Sequence, residues 1–199
     1  MCNLYSNKVA PDALIAAFEQ LRIPLTFPEG IPNFEPRNEI RITDRAPILR
    51  WNPAAGAGEG AAELVQRRWS WPGPGGKPVY NFRSEGREFE SGRCLIVADS
   101  FYEFTVPAEP RPDKRKDRWR FDYAGLDWFC IAGLWRSGEA GEAFTMLTTG
   151  PGADVAPYHH RQVAVLAPER WRVWLDGSGS ACDLLGPCPV GTLTVCKAG

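Results

Sequence analysis

The chain has 199 residues, of which 44% are hydrophobic, 24% charged and 12% aromatic, and its formal net charge is −1. That length suits one domain spanning 1–199, with a core able to bury most of its apolar surface without disulfides or metal. The 18 prolines and 20 glycines call for many loops, yet the composition excludes a disordered chain, a collagen and a coiled coil.

In chain order, PDALIAAFEQLR (11–22) places Leu14, Phe18 and Leu21 at helical spacing, with Pro11 suited to a first helical turn. A loop rich in Pro and Asn (24–38) leads to EIRIT and APILRW, which read as strands. NPAAGAGEGAA (52–62) is a flexible turn, ELVQRRWSW (63–71) a further strand, and PGPGGKP (72–78) a loop. YNFRSE (80–85) precedes one long strand, RCLIVADSFYEF (93–104). WRFDYAGLDWFCIAGLW (119–135) reads as a hairpin turned at Ala124–Gly125. FTMLTTG (144–150) and RQVAVL (161–166) are strands separated by PYHH, and APERWRVWLDG (167–177) is a short helix stopped by Gly177. Many strands and few helices, without βαβ alternation, predict an α+β fold around a curved or barrel-like sheet.

No run approaches the roughly 18 apolar residues of a membrane span. The N-terminal segment has only LIAAF as a continuous apolar run and no basic start, so a signal peptide is not expected and the cytoplasm is. There the six cysteines would be reduced thiols; none forms a C-x-x-C pair, and with two histidines in the chain no metal site is expected. Cys94 and Cys130 lie in apolar runs and read as core residues. The near-neutral charge advertises no nucleic acid, but RPDKRKDRWR (111–120) carries a local net charge of +4. It reads either as a solvated loop or as a phosphate-contacting one interleaved with Trp119.

Four places carry polar groups that could do chemistry. Cys2 follows the initiator methionine and is small enough to permit its removal. An N-terminal cysteine has an amine of pKa about 7.7–8.0 and a thiol near 8.5. Such a 1,2-aminothiol captures aldehydes: the amine forms an imine, and the adjacent thiol closes a thiazolidine at high effective molarity. The other reading is an incidental terminal Cys. Glu103, flanked by Tyr102 and Phe104, shares a strand face with Phe101; if that face is buried its pKa rises toward general acid–base use, and otherwise it faces water. His159 and His160 are either surface residues or contain a proton shuttle. Asn81, with Arg83 and Glu85, either caps a turn or belongs to a site.

MC at the start, PNFEP, RWSWP, NFRSE, RCLIVADSFYEF, FTMLTTG and APYHHRQVAVL together resemble, in order and spacing, the SRAP family (SOS-response-associated peptidase), whose members sense and crosslink abasic sites in single-stranded DNA. The resemblance runs from Cys2 to about Leu175 and departs from the family pattern at MCNL, FYEF and His160. It implies a curved antiparallel sheet with flanking helices, no metal or cofactor, a monomer, and single-stranded DNA containing abasic sites as partner. By the same resemblance, Cys2 is the crosslinking nucleophile and Asn81 the amide that orients it. Glu103 helps open the sugar, and His159 transfers protons at the imine, a stage that also permits β-elimination and hence lyase activity. Asn33 stands near the nucleophile and, with Trp69, Trp71, Arg83 and Arg161, contacts the DNA. The rival expectations are a thiol hydrolase using Cys2, or a non-catalytic relative that binds single strands.

Overall fold

The computed structural model describes residues 2–31, 35–109, 112–139 and 141–198, the side chain of Ala57 excepted. Asn33 lies outside the described residues.

Five strands form a nearly closed ring. Ala61–Trp69 pairs antiparallel with Arg45–Asn52 (Val65 opposite Ile48), which pairs with Arg93–Ala98 (Ile48 opposite Ile96). Arg93–Ala98 pairs with Phe129–Arg136, and Phe129–Arg136 with Ala143–Thr149. Ala143–Thr149 then returns to Ala61–Trp69 in parallel, Phe144 opposite Trp69, closing the circuit. RCLIVA lacks polar alternation because both of its faces are covered: Cys94, Ile96 and Ala98 enter one apolar cluster, Leu95 and Val97 another.

The second cluster lies beneath the helices. Pro11–Gln20 buries Leu14 and Phe18, and Phe18 stacks on Trp171 of the Trp171–Leu175 helix at 5.7 Å. Trp174 Nε1 donates to the Cys94 carbonyl at 2.8 Å, so the buried indole is both packed and hydrogen-bonded. The first cluster is roofed by a second sheet, ordered Leu193–Ala198, Asp117–Tyr123, Ser100–Thr105, Leu4–Asn7, Arg37–Arg41. Phe101 joins the two sheets, stacking on Phe121 at 4.9 Å and meeting Phe129 edge-on at 6.4 Å.

Strand-rich architecture with few helices and curled sheets is as expected, but two connections differ. The long strand 93–104 is two strands in different sheets, divided at Asp99. Its backbone N–H donates to Ser6 at 3.0 Å, while its carboxylate takes the Lys8 N–H at 2.9 Å. The expected hairpin 119–135 is likewise not one. Asp117–Tyr123 pairs with Ser100–Thr105 and Leu193–Ala198, whereas Phe129–Arg136 belongs to the ring. In both places an apolar run passes from one sheet to the other, and period-2 patterning is blind to that change of partner. No described helix is long and apolar enough to cross a membrane.

Candidate active site

The Leu4–Asn7 strand lies between Ser100–Thr105 and Arg37–Arg41, with Tyr5 opposite Phe101. This register brings Cys2, just before the strand, alongside Glu103 near the far end of its neighbour. Alternation along Ser100–Thr105 puts Glu103 on the same inward face as Phe101, while Tyr102 turns outward beneath Arg118, whose guanidinium lies 4.0 Å from the ring centre. Glu103 is only 2% exposed and Cys2 only 1%.

Several contacts fix Cys2. Its S–H donates to the Leu4 carbonyl at 3.3 Å, and its own carbonyl accepts from Asn81 Nδ2 at 2.7 Å. Its backbone N–H bonds to the Glu103 carboxylate. Asn81 reaches this point from Asn81–Arg83, a short strand held parallel to Ala143–Thr149 with Asn81 opposite Met146. Burial pushes the Glu103 carboxyl up to about 7, so near neutral pH it is divided between acid and base forms. Burial, reinforced by the Glu103 charge, pushes the Cys2 thiol up to about 12.

His159 is delivered by the segment between the last ring strand and Gln162–Val163. A tight turn closes there, with Ala156 and Val155 N–H donating to Gly152 O and His159 N–H to Val155 O. Gly152 admits no side chain, since a Cβ would stand 2.3 Å from the Cys188 carbonyl. Tyr158 then packs on Trp119 at 4.6 Å and on Phe121 at 5.5 Å. Trp119 is the register partner of Glu103, so the histidine loop is docked onto the strand beside the carboxyl. Half-buried His159 has its pKa lowered, chiefly by burial, and its ring stacks on exposed His160 at 4.3 Å. The Trp119–Tyr158 pair is not among the site candidates that the sequence offers; the only hint there is an aromatic within the basic run.

The residues expected on DNA separate into three situations. Arg83 is exposed and has no ion pair among the described residues. Trp71 is buried, with the Arg136 guanidinium 4.3 Å from its ring centre. Trp69 and Arg161 are buried and bonded within the protein. Trp69 is 0% exposed, donates from Nε1 to Tyr80 O at 2.9 Å and meets Tyr5 edge-on, so no ring face is open to a base. Arg161 is buried too, its guanidinium engaged by Glu85 and Thr148.

A buried cysteine at position 2 touching a carboxyl of near-neutral pKa can take up an electrophile and move protons around it. Among the described residues no cluster of three His, Cys, Asp or Glu side chains could hold a metal ion. Comparison with known proteins agrees with the resemblance in sequence. The family model described as SOS response associated peptidase (SRAP) matches residues 1–197. Abasic site processing protein YoaM of Bacillus subtilis is 29% identical over 104 residues, which are 50% of this chain and 44% of that protein. Abasic site processing protein YoqW of the same organism is 31% identical over 100 residues, 48% of this chain and 43% of that one. The matched stretch thus spans less than half the length of either relative. A solved protein from Bordetella bronchiseptica superposes with a TM-score of 0.70 at 21% identity, covering 100% of both chains. Another, from Bacteroides thetaiotaomicron, gives 0.72 at 16% identity over 100% of this chain and 92% of that one. At such identities these two likenesses speak for the fold alone.

Proposed function

The chain belongs to the SRAP family, and from that premise we propose that it processes abasic sites in single-stranded DNA, capturing them on Cys2 once Met1 has been removed. The observation that supports this reading most is the bond between the Cys2 backbone N–H and the buried Glu103 carboxylate. After removal of Met1 that nitrogen is an α-amine, already beside a group able to give and take its protons.

The abasic sugar is a cyclic hemiacetal. Glu103 protonates the ring oxygen as the C1′–O bond breaks, and the C1′ hydroxyl releases its own proton, leaving the aldehyde. The Cys2 amine attacks C1′, and the carbinolamine loses one water to become an imine, with His159 exchanging protons at this stage. The thiol then adds: an S–C1′ bond forms, and the thiol proton passes to the former imine nitrogen, closing the thiazolidine. Asn81 holds the Cys2 carbonyl while these bonds change. The imine also acidifies the C2′ proton, so loss of the 3′-phosphate by β-elimination gives weak lyase activity. Exposed Arg83 is suited to a backbone phosphate, as in sequence-tolerant single-strand binding.

Thiol hydrolysis fits less well. A hydrolytic cysteine is activated by a lowered pKa, whereas burial and the Glu103 charge push this thiol up to about 12. A thiol that keeps its proton until an imine stands next to it suits the addition step.

The test mixes Met1-processed protein, verified by intact mass, with an abasic single-stranded oligonucleotide. A gel-stable adduct surviving denaturant is expected. Cys2→Ala should abolish it, leaving at most a borohydride-trappable imine from the Ala amine. An equally stable adduct from Cys2→Ala, or none from the processed wild type, overturns the reading.

A further inference from the structure

The basic run 111–120 is a charged motif that the proposed chemistry leaves unused. Its described part, residues 112–120, falls into two pieces. In the Asp117–Tyr123 strand the charges are spent within the protein. Arg118 donates to Glu39 at 2.8 Å and Arg120 to Asp122 at 2.8 Å, while Asp117 pairs with Lys197 at 3.0 Å. The segment before the strand is different. Residues 112–116 are all exposed and carry Lys114, Arg115 and Lys116 against one carboxylate, Asp113. Lys114 and Lys116 form no ion pair among the described residues, and Arg115 meets Asp113 at 3.5 Å in the open, where water screens the contact. The turn has internal support: Asp113 Oδ1 accepts the Arg115 N–H at 3.1 Å, and Lys114 takes a left-handed φ of 55°. A bend held in this way has less chain entropy to lose when a ligand arrives.

Register places the turn beside the reaction centre. Glu103 lies opposite Trp119, and Thr105 lies opposite Asp117, the last pair before the chain leaves the sheet. Lys116 follows directly, three residues from Trp119, or about 10 Å of extended strand. Cys2 itself is held between the two sheets, its carbonyl by Asn81 on the ring side and its N–H by Glu103 of the second sheet. The ring side offers exposed Arg83, two residues after Asn81. The second sheet offers the 112–116 turn, at the end of the strand paired with the one that carries Glu103. A phosphodiester chain with its abasic sugar at Cys2 therefore meets cations on both sides. Because the whole chain has a net charge of −1, general attraction for a polyanion is weak and phosphate binding depends on such local excesses.

We propose that Lys114, Arg115 and Lys116 form a seat for the backbone phosphates on one flank of the captured nucleotide, across Cys2 from Arg83. The inference rests on the function proposed above for its ligand, single-stranded DNA, and adds the element that carries the flanking strand. Ammonium and guanidinium groups on phosphate read no bases, so the seat accepts any flanking sequence.

Binding is separated from capture by an oligonucleotide with a tetrahydrofuran residue in place of the abasic sugar, which lacks the C1′ hydroxyl and cannot open to an aldehyde. Three versions carry nucleotides on both flanks, on the 5′ flank alone or on the 3′ flank alone. Fluorescence anisotropy is read from about 50 to about 200 mM salt for wild type and for Lys114→Ala/Arg115→Ala/Lys116→Ala, a variant truncated only at exposed side chains. On the two-flank oligonucleotide the variant should flatten the log–log salt slope by about 2, three phosphates at about 0.7 each, so that its deficit in affinity shrinks roughly 20-fold across that range. The same flattening is expected on one single-flank version and none on the other.

Equal slopes for wild type and variant overturn the inference and leave a solvated loop. Equal flattening on both single-flank versions overturns it as well, since that is diffuse attraction and not a seat. If the turn sets the slope on one flank but processed wild type forms no adduct with an authentic abasic oligonucleotide, the proposed capture fails and the seat stands. An adduct formed by a protein whose turn has no effect on any slope leaves the capture standing and removes the seat.

Discussion

Replacing Glu103 by Gln tests the electrostatics of the site without any substrate. The carboxyl is 2% exposed, and burial raises its pKa from 4.5 to about 7. A carboxyl whose pKa is higher folded than unfolded binds more protons in the folded state. Stability is therefore highest below about pH 4.5, falls as the pH rises through the window to about 7, and stays low above it. With about 1.4 kcal/mol for each pKa unit, the loss across that window is about 3 kcal/mol. A glutamine amide at this position cannot ionise and carries no such slope. It brings an extra donor and some packing cost, but both are constant with pH, so the changing difference between the two proteins isolates the carboxyl. Urea midpoints should be compared at half-unit steps from about pH 4.5 to about 8, on protein shown by intact mass to retain Met1. Relative to wild type, Glu103→Gln should gain about 3 kcal/mol between the ends of the range, roughly 6–12 °C in Tm for a chain of this size. Parallel pH profiles would refute the claim that burial lifts this carboxyl, and with it the argument for Glu103 as an acid near pH 7.

Two further outcomes separate core from contact surface. Trp69→Phe loses the bond to Tyr80 O and leaves a cavity beside Tyr5, so it should cost about 2–3 kcal/mol in urea unfolding while leaving single-strand affinity at low salt unchanged; a selective loss of binding would return Trp69 to the DNA contacts. Arg83→Ala should be silent in stability and should weaken binding, flattening the log–log salt slope by about 0.7, the value for one phosphate on a single strand.

Much of the strand content was legible in the sequence because apolar alternation and breaker residues act locally. The helix from Pro11 begins as expected and ends at Gln20, and Cys94 and Cys130 are the core residues their apolar runs imply. The chain also advertised Cys2, Asn81, Glu103 and His159, since each is a reactive or amide-bearing residue in a recognisable motif. Glu103 on the Phe101 face follows from period 2 alone. The C-terminal strand Leu193–Ala198 and the short strand after Cys2 were not legible, both too brief or too mixed in pattern to register. The switch of sheet at Asp99 was hidden because RCLIVADSFYEF is apolar on either side of it.

What residue type and spacing determined by themselves was a strand-rich chain and a shortlist of reactive groups. Only the tertiary structure decided which of these are hidden and whom they touch. Tyr5 must pair with Phe101 before the Cys2 nitrogen can meet Glu103, and Arg161 must find Glu85, 76 residues away, before its guanidinium is paired. Trp69 and Arg161 have the side chains of a DNA-binding surface, yet one is sealed in the core and the other, itself buried, is paired with the exposed Glu85 carboxylate. An indole or a guanidinium satisfies its donors equally well on a protein partner or on a nucleic acid, and the choice is made by burial, a property of strand pairings between residues far apart in the chain.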